Sequence, residues 1–521
     1  MGKEALVLDL WIRTRLVKAK LGMIKAPLSI SRTPVVGWPL LLRSAFLPIV
    51  IVLIGLFLRF RLFLLNDSLW LDEACLALNI LSRSFQELTL PLDYGQATPI
   101  LLLFLMKIAT LSLGNSELAL RAVPLLAGVI TLIIFHYCAK EILGKAGSLV
   151  SVSLLALSPQ LIYRSTEVHQ YSTDVLASVI ITYLGFRLIR APSKSVLIFA
   201  IFIPTVLIWL SHPSVFVLFP VGCVALCNAT LNKDRVQFLY LVVAVIFWLA
   251  SFGIVYLQSL EEIGDRQYFI DGWGRRADAF MPWGWRTGSW LYSKITQLSA
   301  LPLIAPAVII LPLTIAGFFL LFHRDWRQAV IVLGPILVTM IVSSAKLYPF
   351  ADRLIIFLIP QIILLVATAI EGLTAVKWRY IGSLLSSLAV AVLLYQPVHW
   401  NLALIVFPEN FGRENFRDVF KTVESSDKCK DYVFIHEAAY YHYKYYHDYR
   451  GFDLDSEVRI VSRTTISNVT NGNPKCIWIV YAHISESEIN YITTLLNDSN
   501  YDVLNRINKI GASALLYAQH P

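Results

Sequence analysis

The sequence has few charged residues and few cysteines. Charged side chains make up 15% of its 521 residues, whereas hydrophobic ones make up 57%. Soluble domains carry about 25% charged residues, so this composition excludes an ordinary soluble protein. The six cysteines have no spacing typical of a metal site, and we expect no metal and no other cofactor. Only Cys429 and Cys476 lie in the polar C-terminal part, where they can pair if the compartment is oxidising.

The N-terminal region is basic and does not have the form of a cleavable signal. Eight Lys or Arg residues stand there against Glu4 and Asp9, and the stretch before the first apolar run is too long for a signal peptide. We expect residues 1–43 to form a cytoplasmic tail that lies on anionic lipid. The net charge of +9 does not indicate nucleic-acid binding, because the other basic residues stand in short loops between apolar runs.

Long apolar runs predict about eleven membrane-spanning helices, because a bilayer core needs about 20 apolar residues in helical form. The run 99–113 is shorter, and we expect it to lie at the membrane surface. With the N-terminus inside, every cytoplasmic loop is then basic, as the positive-inside rule requires. Counting 99–113 as a span would move all of these loops outside. The predicted spans are 44–65, 121–139, 146–163, 172–189, 195–211, 213–231, 237–257, 299–322, 328–345, 353–371 and 379–396.

The same topology places several polar segments on the outer side. A first outer loop, 66–120, carries the interfacial helices, and a large outer loop, 258–298, is rich in Trp and Arg. The polar tail, 397–521, alternates helix and strand patterns, which predicts a small α/β domain. We therefore predict a mainly α, polytopic membrane protein with a transmembrane domain over 44–396 and an extracytoplasmic C-terminal α/β domain.

Two adjacent acids, Asp72 and Glu73, follow the first span. A carboxylate in a cleft between water and lipid can serve as a general base. The structural alternative is that both acids open a short interfacial helix, whose N-terminus favours negative charge.

Other ionisable and aromatic residues stand at span ends on the same surface. Ionisable residues at membrane depth are costly and often mark a functional path, and a guanidinium suits a bidentate grip on phosphate. The alternatives are that they cap helix ends, snorkel to the interface or pair with one another. We predict that some of them bind substrate: Glu167, His169, Tyr171 and His212. Candidate phosphate ligands are Arg353, Arg59 and Arg164.

Five segments, in order and spacing, resemble the GT-C superfamily of polyprenyl-phosphate-sugar-dependent glycosyltransferases. The resemblance covers 44–396 and is strongest to the branch of protein O-mannosyltransferases and the lipid A aminoarabinose transferase. It implies interfacial helices after the first span and a lipid-phosphate-linked sugar donor that binds from the outer leaflet. The segments are 68–74, 98–102, 120–124, 158–171 and 353–360.

The resemblance also implies roles for individual residues. Asp72 would be the general base that deprotonates an acceptor hydroxyl, and Glu73 would orient Asp72 or the acceptor. The acceptor would then displace polyprenyl phosphate from the anomeric carbon with inversion. The charge of the leaving phosphate needs stabilisation, which suits Arg353 and also Arg59 or Arg164.

Two positions depart from the family pattern. Many relatives carry Lys or His before Pro99, and the aminoarabinose transferase has Glu-Lys, whereas this chain has Gln96-Ala97-Thr98. That change removes an expected phosphate or metal ligand. His169 stands where relatives often carry Arg, and it can replace that arginine only when protonated.

We therefore expect a multi-pass glycosyltransferase of the cell (cytoplasmic) membrane with its active site outside. Its partners would be a polyprenyl-phosphate-linked sugar, a glycan, glycolipid or protein acceptor, and membrane lipid. One rival is a polyisoprenoid-lipid or polysaccharide flippase without transferase activity, which favours polar residues in broken helices at the midplane. Here the polar residues crowd one surface instead. Another rival is a non-catalytic scaffold that presents the tail to partners.

Overall fold

The structure, a computed structural model, describes residues 46–260, 266–374, 379–412, 414–426, 429, 432–452, 459–471 and 473–519. The predicted basic tail, 1–43, lies outside the described residues, and so does Lys377 in one of the predicted basic loops. The α-helices, α1 to α19, are Phe46–Leu65, Leu71–Ser82, Ile100–Leu113, Glu117–Ile142, Lys145–Ala156, Pro159–Arg164, Tyr171–Arg190, Lys194–Leu210, Ser214–Leu231, Arg235–Val255, Arg266–Ala277, Thr287–Ala300, Ala307–Arg324, Trp326–Ser344, Ile359–Thr374, Arg379–Val406, Phe416–Glu424, Tyr440–Arg450 and Glu486–Asp498. The strands, β1 to β5, are Val433–His436, Arg459–Val461, Cys476–Ala482, Tyr501–Lys509 and Ala512–Gln519.

The predicted mainly helical membrane fold is confirmed. Within the described residues, nine helices are long and apolar enough to cross a membrane: α1, α4, α7, α9, α10, α13, α14, α15 with the turn before it, and α16. Two other predicted spans, 146–163 and 195–211, correspond to the shorter apolar helices α5 and α8, of 12 and 17 residues. The count of eleven spans therefore stays a prediction.

The short apolar run 99–113 forms α3. This helix has 14 residues, so it is about 21 Å long, which is less than the thickness of a bilayer core of about 30 Å. Its face with Leu102, Leu103 and Met106 is buried. The Lys107 ammonium donates to the Leu81 carbonyl at 3.0 Å, which ties α3 to the end of α2.

The last apolar helix, α16, continues through Pro397 to Val406, past the predicted boundary at 396. Proline has no N–H to donate inside a helix. The Asn401 side-chain amide adds bonds near this position, because it donates to the Pro397 carbonyl at 2.7 Å and to the Leu157 carbonyl at 2.9 Å. The same side chain thus supports α16 and ties it to the end of α5.

The predicted C-terminal α/β domain is confirmed as one mixed sheet in the order β2-β1-β3-β5-β4. Strand β1 pairs in parallel with β2 and β3, whereas β5 pairs antiparallel with β3 and β4. Ile435, Val480 and Leu516 of this sheet belong to the same hydrophobic core as Leu76 and Ala77 of α2. The C-terminal domain and the helix that carries Asp72 therefore pack as one unit.

A disulfide joins Cys429, just before β1, to Cys476 at the start of β3, with the Cα atoms 5.8 Å apart. It closes a loop over a sequence separation of 47 residues. A bridge of this kind restricts the unfolded chain and stabilises the folded domain.

We expect the double variant Cys429→Ser/Cys476→Ser to lose about 2–4 kcal/mol of the unfolding free energy of the C-terminal domain. Denaturant unfolding of the purified chain, followed by tryptophan fluorescence, measures the loss. Cys223→Ser is the control, because Cys223 is an exposed free cysteine in α9. Equal midpoints for the double variant and the control would contradict a stabilising bridge.

Candidate active site

Asp72 lies in the first turn of α2 and forms an ion pair with Arg353. Helix α2 begins at Leu71, directly after its N-cap residue Trp70. Arg353 belongs to a 3₁₀ turn, Asp352–Leu358, that leads into α15. The side chains of Arg353 and Asp72 are 22% and 28% exposed. The predicted base and the predicted phosphate ligand are thus in direct contact at a partly open surface.

The backbone turns sharply on both sides of this pair. Asp352 has a φ of 43°, and Asn66, just after α1, has a φ of 50°. Residues other than glycine rarely adopt these values. Asn and Asp adopt them more often than other non-glycine residues do. Here they mark the points where two apolar segments meet the site.

Two aromatic rings flank the Arg353 guanidinium. It lies 5.0 Å from the centre of the Trp70 ring and 5.7 Å from the centre of the Tyr171 ring. The Arg164 guanidinium lies 5.2 Å from the same Tyr171 ring and binds the Glu167 carboxylate at 2.5 Å. Two guanidinium groups therefore converge on one ring, an arrangement that can hold a phosphate group.

Glu73 is buried, and four donors reach its carboxylate. Arg121 contributes two of them, at 2.9 Å to Oε2 and 3.2 Å to Oε1. The backbone N–H groups of Trp70 and Val168 donate at 3.2 and 2.7 Å. Glu73 thus ties the start of α2 to the segment before α7.

Arg121 is a site residue that sequence analysis did not single out. Besides Glu73, it reaches the backbone carbonyls of Asp67 at 2.7 Å and Ser68 at 3.3 Å. The signals in the sequence are its place in the resembling segment 120–124 and its position near the start of an apolar span. Such a residue needs a partner, but nothing near it in the sequence identifies Glu73 as that partner.

The C-terminal domain also holds the loop that leads to α2. Arg417 donates to the Asn66 carbonyl at 2.7 Å and to the buried Glu117 carboxylate at 2.9 Å. The Tyr446 hydroxyl accepts the Leu69 N–H at 3.2 Å and contacts Glu117 at 3.2 Å. The tyrosine-rich helix α18 therefore packs on the site through at least one of its hydroxyl groups.

The two candidate histidines differ in their position. Burial lowers the pKa of His169 below its usual range, and desolvation lowers the pKa of His212 to about 4, so both rings are neutral at neutral pH. The His169 ring lies 5.2 Å from the Tyr171 ring and borders the site. Among the described contacts of Asp72 and Arg353, none involves His212.

Arg59 is not brought to Asp72. Its side chain is buried inside the helical bundle. Its Nη1 group donates to the carbonyls of Gly55 at 2.9 Å and Ala156 at 3.2 Å. The arginine therefore links α1 to α5, below the surface that carries the ion pair of Asp72.

A cavity of about 30 Å³ lies beside Glu73, which is room for at least one water molecule. Asp67 and Glu167 also line it, and burial raises the pKa of Asp67 although Arg121 and Arg417 oppose the shift. Within the described parts of the chain, no group of three His, Cys, Asp or Glu side chains could hold a metal ion.

We expect Arg121→Ala to destabilise the protein by about 3–5 kcal/mol, because it leaves the buried Glu73 carboxylate without its charged partner. The shift in thermal unfolding midpoint of the detergent-solubilised protein measures this loss. Lys444→Ala is the control, since Lys444 forms a surface pair with Asp448, at 2.9 Å and with both side chains about one third exposed, and such pairs contribute at most about 1 kcal/mol. Similar shifts for both variants would contradict the supporting role of Arg121.

Comparison with known proteins finds one family match and several similar folds. Residues 97–254 match the family described as dolichyl-phosphate-mannose-protein mannosyltransferase. ArnT from Cupriavidus metallidurans, solved with undecaprenyl phosphate bound, is similar with a TM-score of 0.53 at 12% identity, over 90% of this chain and 97% of that chain. No curated protein matches the chain in sequence.

A second solved structure shares the fold. The archaeal oligosaccharyltransferase AglB from Archaeoglobus fulgidus, in complex with an inhibitory peptide and a dolichol-phosphate, is similar with a TM-score of 0.50 at 11% identity, over 90% of this chain and 74% of that chain. ArnT and AglB are both GT-C glycosyltransferases. The family match over 97–254 and the common fold confirm the resemblance seen in the sequence: this multi-pass membrane protein has the fold of the GT-C glycosyltransferases.

Proposed function

We propose that the chain transfers a sugar from a polyprenyl-phosphate donor to a hydroxyl of a glycan, lipid or protein acceptor. The observation that carries this proposal is the contact between Asp72 and Arg353, an acid and a cation at a partly open surface. The similar structures of ArnT and AglB were solved with undecaprenyl phosphate and with dolichol-phosphate. A lipid phosphate is therefore the natural ligand to test here.

In the proposed reaction, the donor phosphate competes with Asp72 for Arg353. Once the phosphate holds Arg353, the Asp72 carboxylate can accept the proton of the acceptor hydroxyl. The hydroxyl oxygen attacks the anomeric carbon, and the bond from that carbon to the phosphate oxygen breaks. Polyprenyl phosphate leaves with the electron pair, and attack from the opposite face inverts the anomeric centre. Arg353 and Arg164 stabilise the charge of the leaving group.

The other predicted residues have supporting roles in this proposal. Glu73 positions Asp72, because its own oxygens accept four hydrogen bonds that hold it in place. Glu167 orients Arg164, and the rings of Tyr171 and His169 border the substrate. Roles in substrate binding for Arg59 and His212 stay predictions, since neither contacts the pair of Asp72 and Arg353.

We place the site and the C-terminal domain, 397–521, on the outer side of the cell membrane, and the domain over 44–396 in the bilayer. Two observations support this topology. The predicted cytoplasmic loops are basic, as the positive-inside rule requires. In addition, the Cys429–Cys476 disulfide persists only in an oxidising compartment.

We expect Asp72→Asn to lower sugar transfer by about 10²–10⁴-fold, the usual contribution of a general base. Radiolabelled transfer from polyprenyl-phosphate donors, in membranes with matched expression, measures it. Asp93→Asn is the control, because Asp93 is an exposed acid of the same outer loop. Equal transfer by Asp72→Asn and wild type would remove Asp72 as the base. Transfer from no donor, even by wild type, would favour the flippase.

We expect Arg353→Ala to lower kcat/KM by about 10²–10³-fold, because the leaving phosphate loses a charged donor. Arg353→Lys should recover part of this loss, since it keeps the charge but not the planar, bidentate group. Steady-state kinetics over a range of donor concentrations separates the variants. The phosphate role would be wrong if Arg353→Ala retained most of the wild-type kcat/KM.

A further inference from the structure

Glu414 links the C-terminal domain to the first turn of α2. It lies in the segment between α16 and α17, and it is only 7% exposed. Its Oε2 atom accepts the backbone N–H of Leu71 at 2.9 Å. Leu71 is the first residue of α2 and directly precedes Asp72. The first N–H groups of a helix have no partner within the helix, so Glu414 supplies one from a distant part of the chain.

Two histidines fix the Glu414 carboxylate. His442 of α18 contacts Oε2 at 2.6 Å, and His483, just after β3, contacts Oε1 at 2.6 Å. Burial alone would raise the pKa of Glu414, but the hydrogen bonds of these histidines lower it to about 2. The group is therefore a carboxylate at neutral pH, which suits the positive end of a helix.

His483 also contacts the site directly, through the ring of Trp70. Its backbone has a φ of 54°, an uncommon value outside glycine that the surrounding structure must enforce. Its ring centre lies 6.4 Å from that of Trp70, the residue whose ring faces the Arg353 guanidinium at 5.0 Å. Glu414 and His483 thus contact the two residues that immediately precede Asp72.

We propose that Glu414 is a positioning residue through which the C-terminal domain sets the orientation of Asp72. This proposal rests on the proposed function of Asp72. Glu414 touches neither substrate nor reacting atoms. It holds the Leu71 N–H, so the first turn of α2 keeps one direction while Asp72 exchanges Arg353 for an acceptor hydroxyl. Misplacing a reacting group by about 1 Å can lower a rate by about 100-fold.

Two substitutions of Glu414 distinguish the effect of its side-chain length from the effect of its negative charge. Glu414→Gln keeps the length of the side chain, and its carbonyl oxygen can still accept the Leu71 N–H. Glu414→Asp keeps the charge, but its carboxylate is one methylene too short to reach Leu71. Positioning predicts that the Gln variant keeps most of the wild-type kcat, whereas kcat of the Asp variant falls by about 10- to 100-fold with little change in the donor KM.

Asn415→Ala is the matched control. It removes a neighbouring side-chain contact of the same interface, at 3.3 Å from the Ser68 hydroxyl, without touching Leu71. We expect wild-type kcat for this variant. The proposal is overturned if Asn415→Ala loses as much activity as Glu414→Asp, or if Glu414→Asp is more active than Glu414→Gln, which would indicate a role of charge alone.

Hydrogen exchange gives a readout that does not depend on transfer. In the full chain in lipid nanodiscs, the peptide over 66–76 should exchange faster at the start of α2 in Glu414→Asp than in Glu414→Gln or wild type. Unchanged exchange would overturn the positioning role. A different result is faster exchange in Glu414→Asp together with wild-type sugar transfer by Asp72→Asn. In that case Glu414 still holds the start of α2, but Asp72 is not the general base.

Discussion

The buried ion pair between Glu73 and Arg121 fixes the loop on which the candidate site is built. Arg121 belongs to an apolar helix, and Glu73 stands next to Asp72 at the start of α2. Removing one partner of a buried pair leaves an uncompensated charge, which is strongly destabilising. The pair therefore fixes the position of the Asp72 backbone. Because Glu73 also accepts the Val168 N–H, it brings the segment before α7 to the same surface.

Two adjacent acids thus have different environments. Glu73 is enclosed by donors, whereas the ion pair of Asp72 with Arg353 is partly exposed. Ion pairs near the surface contribute little to stability, so a phosphate group can take Arg353 from Asp72 without disturbing the fold. In our account, Glu73 is held rigidly and supports Asp72, whose partner Arg353 can be taken by the phosphate. In our account, that exchange connects donor binding to the activation of the acceptor.

Local signals in the sequence predicted most of the fold and part of the site. Long apolar runs predicted the helical membrane domain, and alternating patterns predicted the C-terminal α/β domain. The strands β2 and β4 give little apolar signal in the sequence, because most of their residues are exposed. Asp72 and Arg353 were predicted because each is an ionisable residue beside an apolar run. Their contact joins residues 281 positions apart, which no local pattern reveals.

The remaining site residues act through distant partners. Glu414 stands in a polar segment, where an acidic residue is common and gives no sign of a special role. Its partner Leu71 is 343 positions away. Arg417 and Glu117 are 300 positions apart. A single sequence carries no information about which of its many charged residues pair in this way. Only the packing of the C-terminal domain on α2 and α4 brings them together.

The most direct test of the central claim is a structure of the chain in a lipid nanodisc with a polyprenyl phosphate bound. The measurement is the distance from the Arg353 guanidinium to the phosphate oxygens and to the Asp72 carboxylate. The account predicts that the phosphate lies within hydrogen-bond distance of Arg353 and that Asp72 has left that arginine. A phosphate bound elsewhere, with the ion pair of Asp72 and Arg353 intact, would contradict it.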